Sequence, residues 1–300
     1  MDIVKTALIV TAVIALLLTG ISFALDHRGQ TAPEDPSAEA PAGLSASAEA
    51  DGVGRELSRE KICWGPGTNR NARNQTVDSI AAQEKYGDLG GVFIFPQDAG
   101  ILYLTFDLGY ENGYTEKILD VLKEKGVKAT FFITMDYVKE APDVVRRIID
   151  EGHTLGNHTV RHPSIPDVGD ERAEAELMEL HRYIEEKYGY TMRLFRYPKG
   201  EFSEHTLALI GGLGYKSVFW SFAYRDWVTD DQPSAAYALQ RTTDYLADGS
   251  IYLLHAVSST NAAIMGDFID AARAKGFSFA RIDERLGLTD PPQPSILPAA

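Results

Sequence analysis

Two histidines four residues apart, His158 and His162 in the run Asn157-His158-Thr159-Val160-Arg161-His162, stand downstream of Thr105-Phe106-Asp107-Leu108-Gly109. Two imidazoles on one local turn can grip a single divalent ion while a separate carboxylate stays free for proton transfer. Pro163 follows His162 at once and would end a helix there, so the pair belongs to a turn at the head of a loop. Three more residues with chemistry to offer follow: Arg196 before Tyr197-Pro198-Lys199-Gly200, Asp226 before Trp227, and His255 after Tyr252-Leu253-Leu254. Singly, each has an ordinary explanation. An i, i+4 histidine pair arises by chance on many helices, Arg196 could serve a surface ion pair, Asp226 a loop turn, and His255 a hydrogen-bonded core position. His153, His181 and His205 read as surface or helix-face residues.

The elements that must carry these residues alternate along the chain. Short apolar or β-branched runs at 101–106, 128–133, 154–156, 194–196, 216–220, 250–254 and 278–282 read as strands. Helical stretches at 114–125, 141–151, 173–187, 204–211, 234–245 and 261–275 lie between them. The first places Ile118, Val121 and Leu122 on one face and stops at Gly126; the second opens with Pro142 and stops at Gly152. Successive βα units force a mostly parallel sheet covered by helices, and about seven strands predict an α/β fold of the distorted or incomplete (β/α) barrel type. Asp107, His158, Arg196, Asp226 and His255 each fall at, or just past, the carboxyl end of one of these strands. That is the end of a βα barrel where the loops converge on a site. Asp107 lies too far upstream of the helix near Tyr114 to serve as its N-cap.

Around this domain, at 101–286, the 300 residues divide by composition. Residues 1–25 pair a short polar start with an apolar run and the small-residue pattern Ser22-Phe23-Ala24, which suits a cleaved export signal. The stretch of about 19 residues is also long enough for a retained membrane anchor. Residues 26–55, which include His27, are rich in Ala, Glu, Pro, Ser and Gly and read as a disordered tether. An ordered N-terminal extension is expected at 56–100, with a strand over 92–95, and a Pro-rich tail at 287–300. An extracytoplasmic protein, secreted or membrane-anchored, follows from this order. The formal net charge of -14 excludes a nucleic-acid footprint, which requires a basic surface. Cys63, the sole cysteine, permits no internal disulfide and reads as a small apolar residue packed beside Trp64, since no histidine follows closely to activate it.

In order along the chain, these motifs resemble the polysaccharide deacetylase family, also called carbohydrate esterase family 4 or the NodB homology domain. The resemblance runs from Thr105-Phe106-Asp107-Leu108-Gly109 through His158-Thr159-Val160-Arg161-His162 and Arg196 to Gly200, then Asp226-Trp227 and Leu253-Leu254-His255. The run from Asp107 to Thr115, with Val218-Phe219-Trp220-Ser221, looks like the branch of delta-lactam-biosynthetic de-N-acetylases. That branch removes the acetyl group of N-acetylmuramic acid in peptidoglycan, on the way to muramic-δ-lactam in the spore cortex.

Acetamide hydrolysis needs an activated water, a polarised carbonyl and a proton for the departing amine. The resemblance implies a divalent ion of the Zn, Mn or Co class on His158 and His162, with Asp107 as general base. Arg196 would tether Asp107, Asp226 would orient His255, and His255 would act as general acid. The backbone N–H of Lys199 would face the oxyanion, a contact worth about 3–4 kcal/mol, and Trp227 and Leu253 would line the acetyl pocket. Leu108 departs from the family, which places a carboxylate or an asparagine there. Two neutral imidazoles offset none of the ion's charge, so a weakly bound, exchangeable metal is expected. For the muramic lactyl carboxylate, Arg161, Arg196, Lys199 and Arg225 are the nearby cations, and Arg161, inside the histidine turn, is the expected partner. Peptidoglycan glycan strands are thus the expected partner and a monomer the expected state. A deacetylase of N-acetylglucosamine polymers, from peptidoglycan or chitooligosaccharides, would share every motif, and loss of metal function at Leu108 would leave a non-catalytic glycan binder.

Overall fold

Alternating apolar runs and amphipathic stretches produce a parallel sheet wrapped by helices, in a computed structural model that describes residues 56–288. The expected leader, the tether and the tail beyond residue 288 lie outside the described residues. In chain order the elements are β1 (Ile62–Cys63), α1 (Val77–Tyr86), β2 (Gly91–Val92), β3 (Ile101–Leu108), α2 (Thr115–Lys125), β4 (Thr130–Ile133), α3 (Met135–Glu140) and α4 (Pro142–Asp150). Then follow β5 (Thr154–Asn157), α5 (Asp170–Tyr188), β6 (Leu194–Phe195), β7 (Glu201–Phe202), α6 (Glu204–Gly212), β8 (Lys216–Val218), α7 (Ala235–Asp244), β9 (Ser250–His255), α8 (Ser259–Ala274), β10 (Ser278–Phe279) and α9 (Ile282–Arg285). Among the described residues no helix is long and apolar enough to cross a membrane.

Strand β3, with the sequence Ile-Leu-Tyr-Leu-Thr-Phe-Asp-Leu, is buried along almost its whole length, as a central parallel strand covered on both faces must be. It pairs with β4 and β9, and the sheet continues from β4 through β5, β6 and β8 to β2, parallel throughout, with two residues of β10 beside the start of β3. All seven expected strands are present. Of the run expected as a strand at 92–95 only Val92 pairs, with Gly91 before it, as β2 of the same sheet, and residues 93–95 lie beyond the strand. The sheet curls until the chain after β8 meets β9: Phe222 bridges Tyr252, and the Ser221 N–H donates to the Ile251 carbonyl at 2.9 Å. Val92, Tyr103, Phe132, Leu194, Val218 and Ile251, one from each of six strands, form one buried cluster that fills the barrel. A larger cluster, including Ile118, Leu119 and Leu122 of α2, packs the helices on the sheet. Helix α2 ends where Gly126 takes a left-handed conformation and caps the carbonyls of Leu122 and Lys123.

The extension docks through a two-stranded antiparallel ribbon of β1 and β7, next to which the Trp64 indole N–H donates to the Trp220 carbonyl at 3.0 Å. This ribbon overturns the reading of Cys63: pairing at its edge turns the thiol outward, and Cys63 is exposed rather than packed. His153 is also corrected. It lies at the entry to β5, buried, where its Nδ1 accepts the Ala129 N–H, so it is neither on the surface nor on a helix.

Barrel closure passes through Gly249, whose N–H donates to the Ile101 carbonyl and whose carbonyl accepts the Phe95 N–H. Its φ of +69° is left-handed, and a Cβ there would lie 1.7 Å from the Phe95 carbonyl oxygen. Gly249→Ala is therefore expected to destabilise the protein by about 2–4 kcal/mol, backbone strain adding to overpacking. Urea denaturation, read as a fall in midpoint at unchanged slope, measures this.

Candidate active site

Strand register builds the centre. Asp107 of β3 lies beside Phe132 of β4 on one side and His255 of β9 on the other. Parallel neighbours at one level face the same way, so Asp107 and His255 both enter the mouth of the barrel. Thr105 and Leu253, two residues earlier on the same strands, pair directly below them.

Arg196, just past β6, is fully buried and occupies the space between Asp107 and the layer of side chains beneath. Its Nη1 donates to Asp107 Oδ1 at 2.8 Å and to Thr105 Oγ1 at 2.7 Å; its Nε and Nη2 donate to the carbonyls of Val218 and Phe219, each at 3.1 Å. The guanidinium also lies 4.2 Å from the centre of the Phe132 ring. Burial works to raise the Asp107 pKa, but the charge of Arg196 prevails and holds the carboxyl below its ordinary range.

His255 is held from behind by Asp226, which is fully buried. Asp226 Oδ2 accepts the His255 backbone N–H at 2.8 Å, and Oδ1 meets His255 Nδ1 at 2.7 Å. Asn261, at the start of α8, donates to Oδ2 at 2.6 Å. Beside an ionised carboxylate Nδ1 carries a hydrogen, which leaves Nε2 toward the cavity. Burial opposes the charged imidazole, but Asp226 outweighs it and the His255 pKa is raised above 6.5.

His158 follows β5, and its Nδ1–H donates to the Arg196 carbonyl at 2.8 Å, which directs the bare Nε2 outward. The Nε2 of His162 stands 3.2 Å from it, and Asp107 Oδ2 lies 3.6 Å from His158 Nε2. Burial pushes the His158 pKa down to about 4 and lowers that of His162, so both are neutral donors near pH 7. Nitrogens bound at about 2.0–2.1 Å to one ion sit about 3–3.4 Å apart. The pair fits a divalent ion as two of its ligands. Among the described residues no group of three or more His, Cys, Asp and Glu side chains is arranged as a full set, and Leu108 is buried in the helix-packing core.

These groups surround a cavity of about 510 Å³ lined by Asp107, Gly109, Tyr110, His158, His162, Tyr197, Lys199, Trp220, Trp227, Leu253, His255 and Val257. Arg196 and Asp226 lie behind its wall as supports. Lys199 lines it from a backbone at φ +59°, and Leu253 is buried in its wall. Trp227 is half-exposed at the rim, with its ring 5.7 Å from that of His255, so it borders the cavity rather than lying deep within it. Arg161 is exposed and does not line the cavity; its backbone N–H donates to Glu176 Oε2, while His162, next in the chain, faces the site. Tyr110, Tyr197, Trp220 and Val257 were not among the expected site residues. Thr105 could have been found from the two-residue alternation of β3, whereas Asn261 carries no such signal.

The family model for polysaccharide deacetylase matches residues 96–218. Peptidoglycan-N-acetylmuramic acid deacetylase PdaA of Bacillus subtilis is 37% identical over 250 residues, 82% of this chain and 91% of that protein. The solved structure of Bacillus subtilis PdaA, described as a family 4 carbohydrate esterase, superposes with a TM-score of 0.73 at 34% identity, covering 77% of this chain and 98% of that one. A chitooligosaccharide deacetylase of Sinorhizobium fredii is 35% identical over 155 residues, 51% of this chain and 71% of that protein.

The Arg196–Asp107 pair yields a stability prediction. Arg196→Met leaves a buried carboxylate and two carbonyls without their donor and is expected to destabilise by about 3–5 kcal/mol. Adding Asp107→Leu removes the stranded charge and is expected to recover part of the loss, which chemical denaturation of the single and double variants measures.

Proposed function

The chain belongs to the polysaccharide deacetylase family, and from that premise we propose that it hydrolyses the N-acetyl group of N-acetylmuramic acid in peptidoglycan. The observation that carries this reading is the meeting of Asp107, His255 and the histidine pair around one cavity that Lys199 also lines. Two relatives favour glycans as substrates, the N-acetylmuramic acid enzyme of Bacillus subtilis above all. A wall-directed substrate goes with an extracytoplasmic location.

In the proposed reaction Asp107, kept ionised by Arg196, takes a proton from the attacking water. The water oxygen adds to the acetyl carbon, and the backbone N–H of Lys199 donates to the oxyanion. The C–N bond then breaks as His255 Nε2 gives its proton to the amine, releasing acetate. A divalent ion held by His158 and His162 would polarise the acetyl carbonyl and acidify water; with only two neutral ligands it would exchange readily. At the rim the exposed rings of Tyr110 and Trp227 offer flat apolar faces to neighbouring sugars.

Lys199, rather than Arg161, is the partner we assign to the lactyl carboxylate. Arg196 is committed to Asp107, Arg225 pairs with Asp231 at 2.6 Å, and Arg161 lies outside the cavity. Deacetylation leaves an amine on the sugar that bears this carboxylate, and condensation of the two closes a muramic-δ-lactam. The chitooligosaccharide relative favours a second reading, in which N-acetylglucosamine is the substrate.

Acetate release from peptidoglycan, with and without stem peptides, and from chitooligosaccharides, each with added Zn²⁺, Mn²⁺ or Co²⁺, separates the readings. The expected outcome is release from muramic acid residues. Lys199→Ala should lower that turnover about tenfold or more while sparing any glucosamine activity; equal losses would refute the assignment.

The pH profile of kcat/KM follows from the two pKa directions. Asp107 must be ionised, and its lowered pKa places the acid limb below the ordinary carboxylate range. His255 must be protonated, and its raised pKa places the alkaline limb above 6.5. Asp226→Asn removes the charge that raises His255, so the alkaline limb should move to lower pH and the maximum should fall.

A further inference from the structure

We infer that Glu176 is the positioning residue that holds the second histidine in place, a role resting on the proposal that His158 and His162 share a divalent ion. Glu176 lies on α5, outside every motif of the site, and its carboxylate is almost fully buried. Its Oε2 accepts the backbone N–H of Arg161 at 2.8 Å, its main-chain carbonyl accepts the Val160 N–H at 3.1 Å, and Arg172 pairs with its other oxygen.

The turn between the histidines needs such support. Thr159 and His162 have φ of +73° and +56°, left-handed conformations that side-chain-bearing residues adopt only under constraint. Every backbone N–H across it has an acceptor. His158 donates to the Ile133 carbonyl, Thr159 to Asn157 Oδ1, Val160 and Arg161 to Glu176, and His162 to Thr159 Oγ1. Asn157 and Thr159 are local to the turn. Glu176 is the acceptor that ties its apex to a helix.

The two ligands therefore differ in what fixes them. His158 continues a strand and is locked through Nδ1 by the Arg196 carbonyl. His162 has no strand behind it: its position comes from the strained turn, and its ring meets only its own backbone and the His158 ring among the contacts described. Releasing the Arg161 N–H should let His162 swing while His158 stays, converting a two-ligand grip into one ligand.

The test is Zn²⁺ affinity of the chelator-treated full chain by titration calorimetry, with melting curves of the metal-free proteins alongside. Glu176→Ala is expected to weaken Zn²⁺ binding about 10–100-fold, the range for losing an outer support of a ligand. Glu176→Gln, which keeps an acceptor oxygen at the same reach, should restore most of it. Glu176→Asp, which withdraws the carboxylate by one methylene, should weaken binding as the alanine variant does, and it stands in if that variant fails to fold. The inference is overturned if His162→Ala loses Zn²⁺ while Glu176→Ala and Glu176→Asp keep wild-type affinity, whatever their melting points. A wild-type chain whose Zn²⁺ affinity is unchanged by His162→Ala overturns the metal reading, and the inference with it.

Discussion

A guanidinium with no exposure to water lies at the centre of this protein, and the site is arranged around it. Removing a cation from water is expensive unless every donor meets an acceptor. Arg196 answers that demand for four of its five N–H donors, with a carboxylate, a hydroxyl and two main-chain carbonyls drawn from β3 and from the chain at and just beyond β8. Its own carbonyl then accepts from His158. One residue thus couples the ionisation of Asp107, the tautomer of a histidine and the spacing of three segments of the barrel.

Two buried carboxylates are put to opposite use. Asp107 is stabilised as an anion by the cation below it and faces the cavity, ready to accept a proton. Asp226 is sealed behind His255, where its charge stabilises the protonated imidazole. The strands that carry Asp107 and His255 are adjacent and in register, so a carboxylate and an imidazole are presented side by side. Such pairs of environments, pushing neighbouring groups in opposite directions, are a general mark of acid–base sites.

Most of this frame is legible in the primary structure. Strand runs separated by helices locate the barrel, and the carboxyl ends of those strands locate Asp107, His158, Arg196 and His255, whereas Asp226 comes from the loop eight residues beyond β8. What stays hidden depends on geometry that periodicity does not encode. Arg161 sits inside the histidine motif yet outside the cavity, because left-handed residues on both sides of it reverse the expected direction of the chain. Cys63 is exposed because a two-residue ribbon, too short to show in any alternation pattern, sets its facing. Glu176 looks like one more charge on an acidic helix until the neighbouring turn presents its N–H groups. Tyr110 follows Gly109 on the β3–α2 connection, and only the folded loop shows that it reaches the cavity.

Of the four non-glycine residues with left-handed backbone among those described, His162 and Lys199 line this cavity and Thr159 lies buried in the turn that carries His162. Conformational strain of this kind costs of order 1–3 kcal/mol per residue and is met once, by the cooperative packing of the whole domain. Nothing of it is charged again when a sugar enters. The entropy of ordering the reactive groups has been transferred from the binding event to the folding event, so the domain gives up some thermal resilience for a site that is preorganised at rest.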